Sequence, residues 1–392
     1  MHRRRSARLW GAGRARQQAW RGWSCPAPGA GERRAGGGGS DGGQEPRRLR
    51  RPCPRLVGRA CAAVSARAAR GLGAGPPRGA GIALVADRPL TLALSTCWNA
   101  RRHRTAGTLL DELAALGARQ VELAYCTPNL LPTMAEALAL RGMAVASIHN
   151  ACPWPLDPAG ERMHWSVPDG LASADEERRS WALALARESI AWAERLGAGV
   201  VILHMGQIET TVGQGELFDL LRLGKRSEFE GLRARALAER AARAPAHVAR
   251  AIAAACELGE EAARRGVALG LEVRDCYDEI PNLDEMLQML EATAGLPIGY
   301  WHDVGHAEKQ HLLGLAGPHE YLQRFADRLL GVHLHDGLYE RDHMAPGFGR
   351  IDLQATARLL PVGVRRTLEL DERVSTDEAV AGLAYLRSLG LA

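Results

Sequence analysis

From residue 90 onward, short apolar runs alternate with longer stretches in which apolar residues recur at helical spacing. The apolar runs predict eight strands, at residues 90–96, 120–124, 144–149, 200–204, 267–273, 296–301, 330–335 and 365–370. The stretches between them predict eight helices, at residues 106–116, 132–140, 175–196, 245–265, 283–293, 320–326, 352–360 and 377–389. Such alternation predicts a parallel sheet of the α/β class, and eight strands are the number that closes a (β/α)8 TIM barrel.

An open, doubly wound parallel sheet is the alternative architecture. That fold would need a glycine-rich phosphate-binding turn after its first strand. The residues found there are Cys97-Trp98-Asn99-Ala100, which do not form such a turn. We therefore predict one TIM barrel over residues 90–392.

Two insertions interrupt the alternation, at residues 151–174 and 205–244. Each follows the carboxyl end of a predicted strand, which is the active face of a TIM barrel. We expect both insertions to form walls or a lid over the site, with a packing role as the alternative.

The first part of the chain has a different composition. Residues 1–80 hold 18 arginines against three acidic residues, a net charge of +15, whereas the remainder holds 32 basic against 42 acidic residues, a net charge of −10. Residues 1–85 are rich in Arg, Gly and Ala and lack an apolar period, so we predict a disordered basic extension. A nucleic-acid-binding tail and a start codon assigned too far upstream are two further interpretations, and we favour the second.

The cysteines and the hydropathy indicate the compartment. The eight cysteines are scattered without a C-x-x-C pair, so neither a disulfide framework nor a zinc knuckle is expected. No apolar run approaches the roughly 20 residues that a membrane span needs. We expect a cytoplasmic protein without a membrane partner.

Polar side chains follow the predicted strands where each strand ends. The carboxyl ends of barrel strands form a ring, so residues distant in sequence converge on one pocket. Carboxylates crowded into one mouth would repel each other without a cation. Imidazole and carboxylate together suit Zn, Mn or Co, while Mg alone would favour oxygen ligands. The candidate residues are Glu122, His149, His204, Glu272, Asp303, His306, His333, His335, His343 and Glu369.

Single candidates also have simpler interpretations. A lone His or Glu near a strand end is usually a hydrogen-bonded anchor of a loop, and Glu122 in particular could only brace the barrel. His333 and His335 share one face of a strand, so one could bind the metal and the other the substrate.

A series of motifs resembles the xylose-isomerase-like TIM-barrel superfamily, in this order: Leu269-Gly-Leu-Glu272, Asp303-x-x-His306, His333-Leu-His-Asp336, His343-Met-Ala-Pro-Gly-Phe-Gly349-Arg-Ile-Asp352 and Leu368-Glu369. The resemblance spans about residues 90 to 390. The superfamily contains sugar and sugar-phosphate isomerases and epimerases, inosose isomerases and dehydratases, hydroxypyruvate isomerase and endonuclease IV. The resemblance thus implies a TIM-barrel enzyme without specifying which member of the group.

The resemblance also implies a divalent metal (Mn, Zn, Co or Mg) held by Glu272, Asp303, His333 and Glu369. It implies that Glu272 and Glu369 move protons during isomerisation or epimerisation through an enediolate. The substrate would be a small sugar, a sugar phosphate or an inositol-derived ketone, and a dehydratase is the close alternative. Additional metal-binding or substrate-binding residues would come from a second set, which comprises His149, His204, His306, His335, His343, Arg274 and Glu122.

Endonuclease IV is the competing member, because it uses additional histidines where this chain has His149, His204 and His343. Two differences weaken that assignment: His335 stands where Asn is expected, and Arg341 stands where Asp is expected. The acidic barrel also argues against nucleic acid as a partner. A degenerate barrel that only binds a ligand is the non-enzymatic alternative, and a homo-oligomer is compatible with either kind of protein.

Overall fold

The computed structural model describes residues 91–164 and 168–392, so the extension predicted at residues 1–85 lies outside the described residues. Its strands are β1 (Ala93–Ser95), β2 (Gln120–Leu123), β3 (Ala144–His149), β4 (Val200–Leu203), β5 (Gly206–Gln207), β6 (Ala268–Glu272), β7 (Glu279–Ile280), β8 (Ile298–Asp303), β9 (Leu329–Leu334), β10 (Asp336–Leu338), β11 (Arg341–Met344) and β12 (Arg365–Leu368).

Eight of these strands close a parallel barrel in the order β1-β12-β9-β8-β6-β4-β3-β2. The ring is closed by β1, whose Ala93 lies opposite Thr367 of β12 on one side and Gln120 of β2 on the other. The four remaining strands form two short antiparallel ladders outside the barrel, β5 with β7 and β10 with β11. The predicted (β/α)8 architecture is confirmed.

The helices lie between the barrel strands and cover their outer face. They are α1 (Ala106–Ala115), α2 (Met134–Arg141), α3 (Glu176–Leu196), α4 (Gln214–Arg222), α5 (Arg226–Arg265), α6 (Leu283–Ala292), α7 (Val304–Leu312), α8 (Glu320–Arg324), α9 (Leu353–Leu359) and α10 (Thr376–Ser388). None of the helices in the described residues is both long and apolar enough to cross a bilayer.

Helix α5 differs most from the sequence-based expectation. The prediction placed a helix at residues 245–265 and a separate helical run from Ser227 in the insertion, whereas α5 is one helix that begins at Arg226 and continues through Pro245. Interior proline costs about 3 kcal/mol in helix propensity. The buried residues of α5, among them Ala236, Ala244 and Val248, continue along one face on both sides of Pro245, so packing outweighs the local preference.

The insertion at 205–244 builds a small apolar core of its own. Phe218 of α4 and Phe229 of α5 pack with Tyr277 and with Leu313, which follows α7. This cluster explains why the insertion holds many apolar residues that no barrel strand requires.

The interior of the barrel is filled by one large side chain, Trp301 of β8. It packs against Val200 and Ile202 of β4 and is completely buried. Two glycines make room for the indole: a Cβ atom on Gly331 would lie 2.3 Å from Trp301 Cζ3, and one on Gly270 would lie 3.2 Å from the ring. The Trp301 ring centroid is 5.2 Å from that of His333, so the indole forms the floor beneath the mouth.

Gly331→Ala is expected to lower the free energy of unfolding by about 1–3 kcal/mol, because the added methyl group overpacks the barrel interior. Gly231→Ala in α5 is the matched control, since a Cβ atom there meets nothing within 4 Å. Alanine in a helix interior should raise stability by up to about 1 kcal/mol. Chemical denaturation of both variants measures the difference, and equal stabilities would contradict this account of the interior.

Candidate metal centre and pocket

Four strand ends bring Glu272, Asp303, His333 and Glu369 into one cluster. Their ligand atoms all lie within 4.8 Å of one another. Successive side chains of a strand point to opposite faces of the sheet. These side chains lie on the inner face of the barrel, and their neighbours along each strand point outward to the helices. Glu272, Asp303 and His333 are completely buried, and Glu369 is 4% exposed. The structure thus groups the four residues that the family resemblance singled out as ligands.

The orientation of His333 is set from behind by Glu122. His333 Nε2 lies 3.2 Å from both carboxylate oxygens of Glu122, which also accepts a 2.7 Å hydrogen bond from Ser147. A proton on Nε2 leaves Nδ1 free to face Glu272 Oε1 at 2.8 Å and Glu369 Oε2 at 2.9 Å. Glu122 is therefore placed to orient a ligand, a contact that commonly supports metal-bound histidines.

The electrostatics of His333 reflect these carboxylates. Burial alone would lower the pKa of His333, but Glu369, Glu122 and Glu272 together raise that pKa well above its ordinary value. The ring can thus carry a positive charge among carboxylates, which is the charge that a bound cation would supply.

Asp303 is held by backbone and side-chain donors at once. It caps the N-terminus of α7, where Oδ1 accepts hydrogen bonds from Gly305 N at 2.9 Å and His306 N at 2.8 Å. His335 Nε2 lies 3.0 Å from both carboxylate oxygens, and its Nδ1 accepts a hydrogen bond from His343 N at 3.0 Å. Both nitrogens of His335 are engaged, so this histidine orients Asp303 and anchors the β10–β11 hairpin.

A second group of side chains lies beside Glu272. His204 Nε2 is 2.6 Å from Glu272 Oε2, and His204 Nδ1 is 3.2 Å from Asp169. His149 Nε2 lies 3.5 Å from Glu272 Oε2. The guanidinium of Arg274 contacts the same atoms, since its Nη1 is 2.6 Å from His204 Nε2 and 3.4 Å from Glu272 Oε2. A cation of the chain itself is therefore already placed in this group.

A third group lies on the opposite side of the cluster. His343 Nδ1 is 3.0 Å from Asp342, and His343 Nε2 is 3.4 Å from Glu369 Oε2. His306 donates from Nδ1 to the carbonyl of Val273 at 2.9 Å. This orients His306 Nε2 toward the mouth, 3.8 Å from Asp342 Oδ2.

The cluster opens into a cavity of about 300 Å³. One wall carries Tyr125 and Trp154, whose ring centroids are 4.4 Å apart. Seven carboxylates but only two arginines line the cavity, which is formed by Cys97, Arg101, Tyr125, His149, Asn150, Trp154, Asp169, His204, Glu272, Arg274, Asp275, Cys276, His306, Asp342, His343, Glu369, Asp371 and Glu372.

The two insertions contribute unequally to this cavity. Residues 151–174 supply Trp154 and Asp169, in agreement with the expected wall. The expectation was wrong for residues 205–244, none of which lines the cavity. The alternative packing role is observed instead: residues such as Leu217 and Phe218 pack in the separate small core, and Met205 and Ile208 pack in the main core.

Several lining residues were not found from the sequence. Asp169 lies in an insertion without a periodic pattern that could place it. Lys309, the partner of Asp342, was missed because it lies in α7, a helix that was not predicted. A signal for Lys309 did exist, because it follows His306 by one helical turn and so lies on the same helix face.

The donor set in the cluster fits a divalent cation. Three buried carboxylates around one imidazole need compensating positive charge, and each has a pKa lowered well below its ordinary value by neighbouring histidines despite burial, which acts in the opposite direction. Oxygen-rich sites with one imidazole suit Mn, Mg, Co or Zn.

Comparisons with known proteins agree with this fold. The sequence profile of the family described as xylose isomerase-like TIM barrel matches residues 110–389. No functionally curated protein matches the sequence. An L-ribulose 3-epimerase is similar in structure, with a TM-score of 0.55 and 17% identity over 76% of this chain and 94% of that one.

Two further solved structures are similar to the same extent. A 3-keto-D-glucoside 4-epimerase from E. coli gives a TM-score of 0.54 at 14% identity, over 76% of this chain and 99% of that one. A D-psicose 3-epimerase from Clostridium cellulolyticum H10 gives 0.53 at 13% identity over the same shares. At such identities the similarity concerns the fold.

We expect the purified protein to bind one divalent ion per chain, and Glu272→Ala or Asp303→Asn to abolish that binding because each removes a ligand from the buried cluster. His149→Ala is the control that should keep the ion, since His149 lies beside the cluster. Mass spectrometry of metal content measures the outcome. A wild-type protein without metal would contradict the assignment.

Proposed function

The chain belongs to the xylose isomerase-like TIM barrel family, and from this premise we propose that it is a metal-dependent isomerase or epimerase of a small, uncharged sugar or inositol-derived ketone. The supporting observation is that two glutamates, Glu272 and Glu369, belong to a buried four-ligand cluster and also line the cavity above it. Each can contact a bound ion and a substrate.

The proposed cofactor is Mn, Zn, Co or Mg. A divalent ion held by Glu272, Asp303, His333 and Glu369 would polarise the substrate carbonyl and acidify the neighbouring C–H group. The side chains behind the ligands hold them in place, as Glu122 does for His333 and His335 does for Asp303.

The proton transfers fall to Glu272 and Glu369. The two residues come from the ends of β6 and β12, which β8 and β9 separate in the barrel, so they reach the substrate from different directions. One carboxylate would remove a proton next to the carbonyl to form an enediolate, and the other would return a proton to it. Hydrogen-bonding partners, His204 for Glu272 and His343 for Glu369, stabilise each carboxylate in position.

The walls indicate the class of substrate. The paired rings of Tyr125 and Trp154 present apolar surface beside many polar groups, a combination that suits a polyol with C–H and O–H faces. The seven lining carboxylates outnumber the two arginines, and both arginines are paired, Arg101 with Glu372 and Arg274 with Glu279. Among the described residues, no unpaired cation lines the cavity to receive a phosphate group, so we favour a substrate without phosphate.

Other activities use parts of the same site. A dehydratase would begin with the same proton removal and differ only in losing water, so product analysis separates it from an isomerase. A degenerate binding barrel is disfavoured because all four ligands are present.

Endonuclease IV chemistry is favoured by two further groups of potential ligands, His149-His204-Glu272 and Asp303-His306-His343. It is disfavoured by Arg274 beside the first group, and incision of duplex DNA at an abasic site would test it directly.

Glu369→Gln is expected to reduce turnover by roughly 10²–10⁴-fold with the fold intact, because the amide cannot accept the proton. Turnover is measured as exchange of the substrate proton next to the carbonyl with solvent, across a panel of ketoses and inososes. Glu372→Gln is the matched control: this rim residue is half-exposed and pairs with Arg101, so activity should stay within roughly a factor of three. Full activity of Glu369→Gln would remove that residue from the mechanism.

Free sugars should be processed with kcat/KM roughly 100-fold higher than their phosphates, because a phosphate would face the carboxylates of the wall without a free cation. Matched pairs such as a ketopentose and its 5-phosphate measure this ratio. Preference for the phosphate would contradict the proposed substrate class while leaving the proposed reaction intact.

A further inference from the structure

Three carboxylate and imidazole side chains meet at the rim of the mouth, outside the four-ligand cluster. They are Asp275, which follows β6; His306, in the first turn of α7; and Asp342 of β11. One ligand atom from each lies within 4.8 Å of the others. Segments distant in sequence therefore converge here on a position where a cation would be stabilised.

His306 is oriented toward this position and has no strong partner there. Its Nδ1 is committed to the carbonyl of Val273, so its Nε2 carries a free electron pair toward Asp342, at 3.8 Å, which is beyond hydrogen-bond distance. The imidazole is 6% exposed. A buried acceptor without a donor is the arrangement expected beside a cation.

The positive charge at this position comes from Lys309. Its ammonium group lies 2.6 Å from Asp342 Oδ2 and 3.0 Å from Asp275 Oδ2, and the side chain is only 6% exposed. Buried lysines require such pairing, because an isolated ammonium group is costly to remove from water. Lys309 follows His306 by one turn of α7, so the same helix supplies both the imidazole and the cation.

We propose that Lys309 is a built-in cation that occupies a second ion position formed by Asp275, His306 and Asp342, and so restricts the mouth to one divalent ion. A second divalent ion could bind only by displacing the ammonium group, against the repulsion between the two cations and with loss of two short ion pairs. The inference depends on the metal centre proposed above, but not on the substrate or the reaction.

The same contacts hold the hairpin that carries His343. Asp342 precedes His343, whose Nε2 lies 3.4 Å from Glu369 and whose backbone N–H is bound by His335. Lys309 thus connects the loop after β6 with the β10–β11 hairpin across the rim. It acts as a positioning residue for the wall of the cavity in addition to excluding an ion.

Lys309→Met tests the proposal, because methionine keeps the length of the side chain and removes its charge. With the ammonium group gone, Asp275 keeps a 3.7 Å contact with Arg274 and Asp342 keeps a 3.0 Å contact with His343, but the two carboxylates lose the cation that they share. The number of divalent ions per chain, measured with Mn²⁺ or Zn²⁺ alone by mass spectrometry after equilibrium dialysis, is expected to rise from one in the wild type to two in the variant.

Two matched variants separate this effect from general damage to the fold. Lys309→Arg retains the positive charge and should keep one ion. The double variant Lys309→Met with Asp342→Asn removes a ligand of the second position and should return the number to one. Lys309→Gln provides the same comparison if the methionine variant does not fold, since its amide can still donate to one carboxylate.

Each outcome bears on the proposal. Two ions in the methionine or glutamine variant, with one in the wild type and in the arginine variant, would support it. One ion in every protein would overturn it and leave the metal centre standing. Two ions in the wild type would also overturn it, because Lys309 would then not exclude the second ion. No ion in any protein would contradict the metal centre itself, and this inference with it.

Discussion

Negative charge buried at the carboxyl end of the barrel is the constraint on which the architecture of the mouth depends. Three carboxylates of the four-ligand cluster are at most 4% exposed, and further acids surround them on the rim. Such charges are costly to bury unless cations or hydrogen-bond donors compensate them. Side chains that are or can be positively charged compensate the carboxylates in three places: His333 inside the cluster, Arg274 beside Glu272, and Lys309 between Asp275 and Asp342.

The side chains of the four-ligand cluster are also held in position by contacts with neighbouring residues. Glu122 holds the far side of the His333 ring, and His335 connects the carboxylate of Asp303 to the backbone of His343. Two residues of the cavity, Tyr125 and His343, adopt left-handed backbone conformations with φ of 55° and 52°. Such conformations cost about 1–2 kcal/mol for residues other than glycine. Their presence on the cavity wall fits a site whose positions are held by surrounding contacts.

The distribution of charge also narrows what the cavity can accept. In the described part of the chain the mouth is rich in carboxylates and each arginine that lines it is paired, which supports the proposed neutral polyol over a substrate with phosphate groups. The same argument supports the proposed isomerase with one ion over a nuclease with several ions. Both would use Glu272 and Asp303, but the arginine and lysine of this chain stand beside the positions where additional ions would bind.

Sequence and structure contributed different parts of this account. The alternation of eight apolar runs with amphipathic stretches was sufficient for the barrel, because strand and helix periodicities are local properties of the chain. The strand ends then indicated ten candidate residues, since a closed barrel brings all its carboxyl ends together. The family resemblance singled out Glu272, Asp303, His333 and Glu369 among them. The roles of these four residues stay predictions, and residues 1–85 lie outside the described structure.

Only the tertiary structure decided which polar residues face each other. The family resemblance had already favoured His333 over His335 as a ligand, and the structure adds that His335 contacts Asp303 and the backbone of His343. The contribution of Arg274 and Lys309, in contrast, depended on side-chain positions of a few ångströms. Part of the insertion at 205–244 packs in a small core with Tyr277 and Leu313, which no sequence pattern connects to it. The periodicity of a sequence indicates whether a residue is buried or exposed. Which residue it contacts depends on how segments distant in sequence pack together, and the sequence pattern does not contain that information.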